Sequence, residues 1–403
     1  MHLVRLSIVE FRSLHRVEFD VPAGGFGLIG RNAAGKSSVL EVIAMLSTTR
    51  SPRTNLEREL INWQSGAELA VDPYSRIECT IASATGQHHI EIGLQADAHR
   101  SNRVRKVISL GGKRHRAGKV VGTLKCVLFE PPDIDLVSGS PSLRRRYLDV
   151  FLSQLDGGYL SALSRYNKIV EQRNSLLKSL SKEGQSWQSP RVRSQLDFWD
   201  TELVAFGSRI LHRRLKAVEK IDEFACERLK AFTEGATMET RYLVSSGSTD
   251  THGTRAAQLA QAGKRSQSEL AYAMTDALSH LRQDEFRRGI TLIGPHRDDL
   301  AVSVDAVDIG SYGSRGQQRL AAIALKLAEA DLMRAESGEQ PVILLDDVFS
   351  ELDQKHRQLL SRSVGSLQAQ VIVTATDRDT LHADELGLPA IATIAGGVIS
   401  WNG

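Results

Sequence analysis

At 403 residues the chain is long enough for one large core or two ordinary ones. Its 41% hydrophobic and 25% charged residues are those of a globular protein, and a net charge of +3 alone says little about an acidic partner. The cysteines Cys79, Cys126 and Cys226 are far apart with no Cys-x-x-Cys pair, which argues against a disulfide frame or zinc site and fits a reducing, cytoplasmic setting. Arg5, Glu10 and Arg12 interrupt the first apolar residues and no run of 18 apolar residues occurs, so neither a signal peptide nor a membrane span is expected.

From Met1 to about Pro132 short apolar runs alternate with polar residues, as in Leu3 to Val9 and Arg76 to Ile81, and predict strands. One helix interrupts them, from Ser37 to about Leu46. From about Pro141 to Arg288 the period turns helical, with few strand candidates. The longest periodic segment is Leu196 to Phe232, and polar gaps near Ser181–Pro190 and Ser245–Arg265 read as loops. Strand and helix signals then return: Gly289–Ile309, a helix Gln317–Glu336, and strands Val342–Leu345 and Gln370–Thr374. The simplest architecture is a discontinuous α/β domain over 1–132 and 289–403, with a helical lobe at 133–288 inserted into it.

Strand Phe26–Ile29 runs into Gly30-Arg31-Asn32-Ala33-Ala34-Gly35-Lys36-Ser37-Ser38, a G-x-x-x-x-G-K-S loop that opens a helix. Gly30 and Gly35 let the backbone curl so that successive N–H groups converge on phosphate oxygens, where the helix dipole points as well. Lys36 is placed to bridge the terminal phosphates of ATP, and the Ser37 hydroxyl to ligate Mg²⁺. Strand Val342–Leu345 ends in Asp346-Asp347, the place of a magnesium-organising carboxylate followed by one that polarises the attacking water. Ser314-Arg315-Gly316-Gln317-Gln318-Arg319 opens the helix before that strand. It resembles the ABC signature, in which serine and glycine at a helix N-terminus bind the γ-phosphate held by a second subunit. Ser350-Glu351-Leu352-Asp353 looks like the D-loop that crosses the dimer interface. Taken singly, each could be a glycine turn, an acidic turn or an ordinary N-cap; four in this order specify an ABC-type ATPase.

Further blocks resemble the RecF family over most of the chain: Leu6–Arg12, Ser51-Pro52-Arg53-Thr54, Glu59-Leu60-Ile61, Ser138–Pro141 with Arg144–Asp149, and Gly294-Pro295-His296-Arg297-Asp298-Asp299. Asp346-Asp347, where Asp-Glu is more usual, is also that family's form. Ser37 stands for its usual threonine. No glutamine marks a Q-loop near Lys125–Glu130 and no histidine follows Gln370–Thr374, where Thr374 and Thr376 occupy the switch region. The resemblance implies an ATP-dependent homodimer that sandwiches two nucleotides and binds single-strand/double-strand DNA junctions. It would act with RecO and RecR to load RecA, with slow, DNA-dependent hydrolysis releasing it. A chromosome-type head ATPase needs longer coiled-coil arms than this insert allows. A transporter subunit, or a nucleotide-gated scaffold without useful hydrolysis, would fit the motifs alone.

Residues Arg100 to Lys119 hold eight Lys and Arg and no acidic residue, either a DNA-phosphate surface or a solvated loop. Arg144–Arg146 and Arg209–Arg214 are weaker candidates, since on a helix they spread around the circumference. His296 has too few companions for a metal site and reads as a hydrogen-bond hub.

Overall fold

The computed structural model describes residues 1–66, 71–97, 104–183, 186–245 and 266–402. Strands β1 (His2–Phe11) and β2 (Leu14–Asp20) form a hairpin, and β3 (Gly25–Ile29) leads into helix α1 (Lys36–Thr48). Next come β4 (Tyr74–Ser83), β5 (Gly86–Ala96), β6 (Val104–Leu110), the two-residue β7 (Lys113–Arg114) and β8 (Cys126–Phe129). Helices α2 (Asp135–Ser138), α3 (Pro141–Leu155), α4 (Gly157–Lys182) and α5 (Pro190–Phe232) precede β9 (Met238–Leu243), and α6 (Gln267–Arg288) follows it. The remainder is β10 (Asp299–Val304), β11 (Val307–Asp308), α7 (Ile309–Tyr312), α8 (Arg315–Ser337), β12 (Val342–Asp346), α9 (Gln354–Gly365), β13 (Val371–Ala375), α10 (Ala383–Leu386), β14 (Ile391–Ala395) and β15 (Val398–Asn402).

Antiparallel pairing orders one sheet β2-β1-β4-β5-β6-β7, while a largely parallel sheet runs β15-β14-β3-β13-β12-β8. The parallel sheet is the middle layer. Along β12, Val342 and Leu344 join a core with Phe26, Leu28, α1 and the antiparallel sheet. Ile343 and Leu345 join a second core with α8 and the helices from α3 onward. A period of two places every other side chain on each face, and burial on both faces gives the continuous apolar run read in the sequence. Because β3, β13 and β12 are parallel neighbours, the loops after β3 and β12 leave the same edge of the sheet. That is where an open α/β sheet presents its ligand crevice.

Within 133–288 the helices dominate, and α5 alone runs 43 residues. Strand β9 departs from the helical pattern read there. Its six residues alternate buried Met238, Thr240 and Tyr242 with exposed Glu239, Arg241 and Leu243, and it pairs antiparallel with β10. So short a run between polar turns has too few periods to stand out among helices. The arginine runs of this region are largely consumed internally. Arg144 holds Asp299 through both carboxylate oxygens at 2.7 and 2.8 Å, Arg145 donates to the Asp298 carbonyl, and Arg146 to that of Pro52. Arg214 is buried and donates to Asp149, to the Tyr159 and Tyr242 hydroxyls and to the Pro295 carbonyl. His296 shares a 2.7 Å hydrogen bond with the Tyr166 hydroxyl, and burial pushes its pKa down to about 4. It is neutral, a structural hub. Cys79 and Cys126 are buried, which pushes both thiols up to about 12 and leaves them inert. No helix among the described residues is long and apolar enough to cross a membrane.

Candidate active site

The loop between β3 and α1 is shaped by close approach and by backbone sign. A side chain at Gly30 would begin 2.5 Å from the Ile394 carbonyl, and Gly35 has φ +106°. Ala33 also lies at positive φ, 65°. Alternating backbone sign turns successive N–H groups toward a common centre, an anion-binding concavity. Lys36 is buried, and its ammonium donates to the carbonyls of Gly30 at 2.6 Å and Arg31 at 3.1 Å, which holds it across the mouth of the loop. Arg31, Asn32 and Ala33 are exposed, Ala34 is half-buried, and Ser38 packs inward at the start of α1.

From the opposite side β12 delivers Asp346, which is buried. Its Oδ1 accepts from the Ser37 hydroxyl at 2.9 Å and from the Thr374 hydroxyl at 2.7 Å, and its Oδ2 is held by the Arg53 guanidinium. Arg53 also donates from Nε to Glu130, 2.9 Å away, at the end of β8. Although burial opposes the charge, Glu130 and Asp346 together raise the pKa of Arg53. Thr374 performs a second task, accepting the backbone N–H of Asp347 at 3.0 Å. Asp347 sits at φ 50°, in the left-handed region that asparagine and aspartate tolerate better than most residues. That backbone gives a physical reason for aspartate where such sites more often carry glutamate. Burial raises the Asp347 pKa above its ordinary value, against the opposing pull of Ser350 and Lys36.

The signature residues start α8. Ser314 caps it: its hydroxyl accepts from the Gln317 N–H at 3.2 Å, and the Gln317 side chain accepts from the Ser314 N–H at 2.9 Å. This reciprocal box directs the exposed helix N-terminus outward. Arg319, one turn in, donates to the Glu351 carbonyl at 2.5 Å and also engages its carboxylate, tying the signature helix to the segment after Asp347. Asp353 caps α9 through the His356 N–H at 2.9 Å. That backbone hydrogen bond, followed by the one from the His356 ring, lowers the carboxyl pKa.

A family model described as RecF/RecN/SMC N terminal domain matches residues 2–389. The DNA replication and repair protein RecF of Roseiflexus castenholzii is 41% identical over 94% of both chains. That of Thermomicrobium roseum is 41% identical over 95% of this chain and 96% of its own. The chain belongs to the RecF family. A solved structure of the recombination mediator protein RecF with ATP, described as in the RecFOR pathway, superposes with a TM-score of 0.82. It is 29% identical and covers 100% of this chain and 98% of that one. A Pyrococcus furiosus Smc head domain, 15% identical over 100% of this chain and 96% of its own, shares the fold at a TM-score of 0.54.

Set against this RecF-type frame, the sequence-derived residues fall into two groups. Lys36, Ser37, Asp346 and Asp347 meet at one edge of the parallel sheet. The hydrogen bonds of Ser314 and Gln317 go to each other, and those of Asp353 to His356. Three further residues beside these carry no assigned role in the sequence motifs. Arg53 belongs only to a family block, Glu130 closes the segment that lacks a Q-loop glutamine, and Thr374 occupies the switch region that lacks a histidine. No short-range pattern links them, for Arg53 and Asp346 are 293 residues apart. For Glu130 and Thr374 the one signal in the sequence is polar character at the ends of apolar strands; Arg53, in the segment after α1, has none.

Proposed function

We propose that this chain is an ATP-driven DNA replication and repair protein that binds DNA as an ATP-closed homodimer and lets go on slow, DNA-dependent hydrolysis. The observation that carries the reading is Asp346 held between Ser37 and Thr374, with Asp347 beside it and Lys36 across the loop mouth. The loop Gly30 to Ser38 would wrap the phosphates of ATP, with Lys36 turning from its carbonyls to the γ-phosphate. Two hard oxygen donors, Ser37 Oγ and the Asp346 carboxylate, lie 2.9 Å apart and suit Mg²⁺. Bound there, the ion would supply charge neutralisation at the β- and γ-phosphates. Asp347 would accept a proton from the attacking water, its raised pKa making it a better base than an ordinary aspartate.

Gly316 supports a site completed by a second copy. A side chain there would meet nothing closer than the Ser314 hydroxyl at 3.9 Å, so the fold of its own chain does not call for glycine. Close approach by an external phosphate does, together with Ser314 and Gln317 at the dipole end of α8. Asp353 would face the same seam. On this reading 1–132 and 289–403 form the ATPase domain and 133–288 the helical lobe. The DNA would be a single-strand/double-strand junction, with RecO and RecR as partners in loading RecA, in keeping with the family. Measuring DNA binding with and without ATP, for wild type and Lys36→Met, tests the core of the reading. ATP should strengthen wild-type binding and leave Lys36→Met unchanged. Equal ATP-dependent binding by both would refute it.

A further inference from the structure

Most conspicuous arginine runs of this chain are spent inside it, and one cationic surface is not. Arg144 and Arg214 are ion-paired with Asp299 and Asp149, and Arg213 with Glu336, while Arg145 and the exposed Arg146 donate to backbone carbonyls; Arg209 is exposed and in no ion pair with another described residue. Along β6, β7 and the adjoining 3-10 turn (Ala117–Lys119), in contrast, Arg105, Lys113, Arg114, Arg116 and Lys119 are all exposed. None of the five is in an ion pair with another described residue. Lys106 differs: it donates to the Thr49 carbonyl at 2.6 Å and to Glu57 at 2.7 Å. Arg100 and Arg103 lie outside the described residues.

Charge bookkeeping makes the concentration plain. Residues 100–119 hold eight Lys and Arg with no Asp or Glu, and the chain nets +3, so everything else nets −5. This twenty-residue segment therefore carries more positive charge than the whole chain nets. Protecting a sheet edge from aggregation is the ordinary use of edge lysines, but Arg116 and Lys119 lie past the edge, in the turn after β7. Five exposed cations over so short a segment carry a cost in self-repulsion that an anionic partner would relieve.

The shape of the strip narrows the partner. In the antiparallel sheet β6 and β7 come last, with Ser109 opposite Arg114 and Leu110 opposite Lys113. Seven residues of β6 span roughly 23 Å at the usual rise per residue. The turn beyond β7 packs against α4, where a side chain at Gly118 would touch Leu160 at 4.0 Å. Two turns along the same face of α4 stands the exposed Lys168. Residues 104–119 contain no Phe, Trp or Tyr. Single-strand binders rely on such rings as stacking platforms, so a surface with cations alone suits a phosphate backbone with its bases paired.

We infer that the β6–β7 edge and the turn after it form the surface on which duplex DNA docks by its phosphates, Arg105, Lys113, Arg114, Arg116 and Lys119 making the contacts. This rests on the DNA-binding reading above and specifies its face. The test uses the full chain with ATP and a fluorescent blunt duplex, titrated across a series of salt concentrations. The edge variant is Lys113→Gln with Arg114→Gln and Arg116→Gln. An equal charge change far away, Lys182→Gln with Arg191→Gln and Arg193→Gln at exposed positions, is the control. If all three edge cations touch phosphate, the slope of log K against log salt should become shallower by about 0.9 per contact, so by about 2 to 3. Affinity should drop at least tenfold at low salt, while DNA-free hydrolysis and ATP-driven dimerisation stay at wild-type values. An edge variant that matches the control in slope and affinity would overturn this inference and leave the DNA-binding reading intact. A wild-type protein that fails to bind duplex with ATP present would overturn both.

Discussion

Thr374 gives the sharpest test of how the site is assembled. Its hydroxyl donates to Asp346 at 2.7 Å and accepts from the Asp347 N–H at 3.0 Å, in a buried position. Thr374→Val keeps the side-chain volume and removes both bonds. The bond to a carboxylate contributes about 1.5–3 kcal/mol and the backbone bond about 1 kcal/mol, so a stability loss on the order of 2–4 kcal/mol is expected by denaturation. Function should respond unevenly. The P-loop contacts do not involve Thr374, so ATP affinity should change by less than about threefold, under 0.7 kcal/mol. Asp347 instead loses the tether that fixes its left-handed backbone. A misplacement worth about 1.4–2.8 kcal/mol in the transition state would slow single-turnover hydrolysis roughly 10- to 100-fold. Thr374→Ser keeps the hydroxyl, gives up one methyl at about 1 kcal/mol, and should hydrolyse ATP near the wild-type rate. Wild-type hydrolysis by Thr374→Val would show that the two carboxylates are positioned without this clamp.

Other expectations follow from the same geometry. Asp347→Asn keeps shape but cannot accept a proton, so ATP-bound dimers should accumulate and stay longer on DNA; its hydrolysis, followed by phosphate release, should be nearly abolished. Because burial raises the Asp347 pKa, the wild-type rate should fall off on the acid side at a pH above the ordinary aspartate range; an acid limb within that range would contradict the assignment. Lys36→Met and Ser314→Arg should each be nearly inactive alone, yet equal mixing makes about half the dimers mixed and restores roughly a quarter of the activity, since one site per mixed dimer is intact; unimpaired hydrolysis by Ser314→Arg alone would exclude a shared site. Loss of water around the half-buried Asp133 pushes its carboxyl up to about 7 against the pull of Lys326, so the folded state holds its proton more tightly than the unfolded chain and loses stability as pH rises from about 4 toward 7. Asp133→Asn should therefore flatten the fall in stability between pH 5 and 8, and an unchanged slope in denaturation at the two pH values would refute this account.

The sequence singles out Lys36, Ser37 and Asp346 because each belongs to a local device: a loop whose glycines set its own curvature, and a strand whose apolar run stops at a carboxylate; the fold brings Ser37 and Asp346 to 2.9 Å. The layered α/β class was legible for the same reason, since periods of two and of three to four residues are local facts. Arg144–Arg146 and Arg214 spread around their helices and are weak contact candidates in the sequence, and only the partners Asp299, Asp298, Pro52 and Asp149 show which of their hydrogen bonds are made within the chain. Glu130 and Thr374 stand near Asp346 because parallel pairing puts the ends of β8, β12 and β13 side by side, and Arg53 reaches both Glu130 and Asp346 from the segment that follows α1. Hydrophobic pattern and turn chemistry act over a few residues and are written where they act. The partner of a charge is chosen by strand order, and strand order is settled only when both faces of the sheet are buried at once.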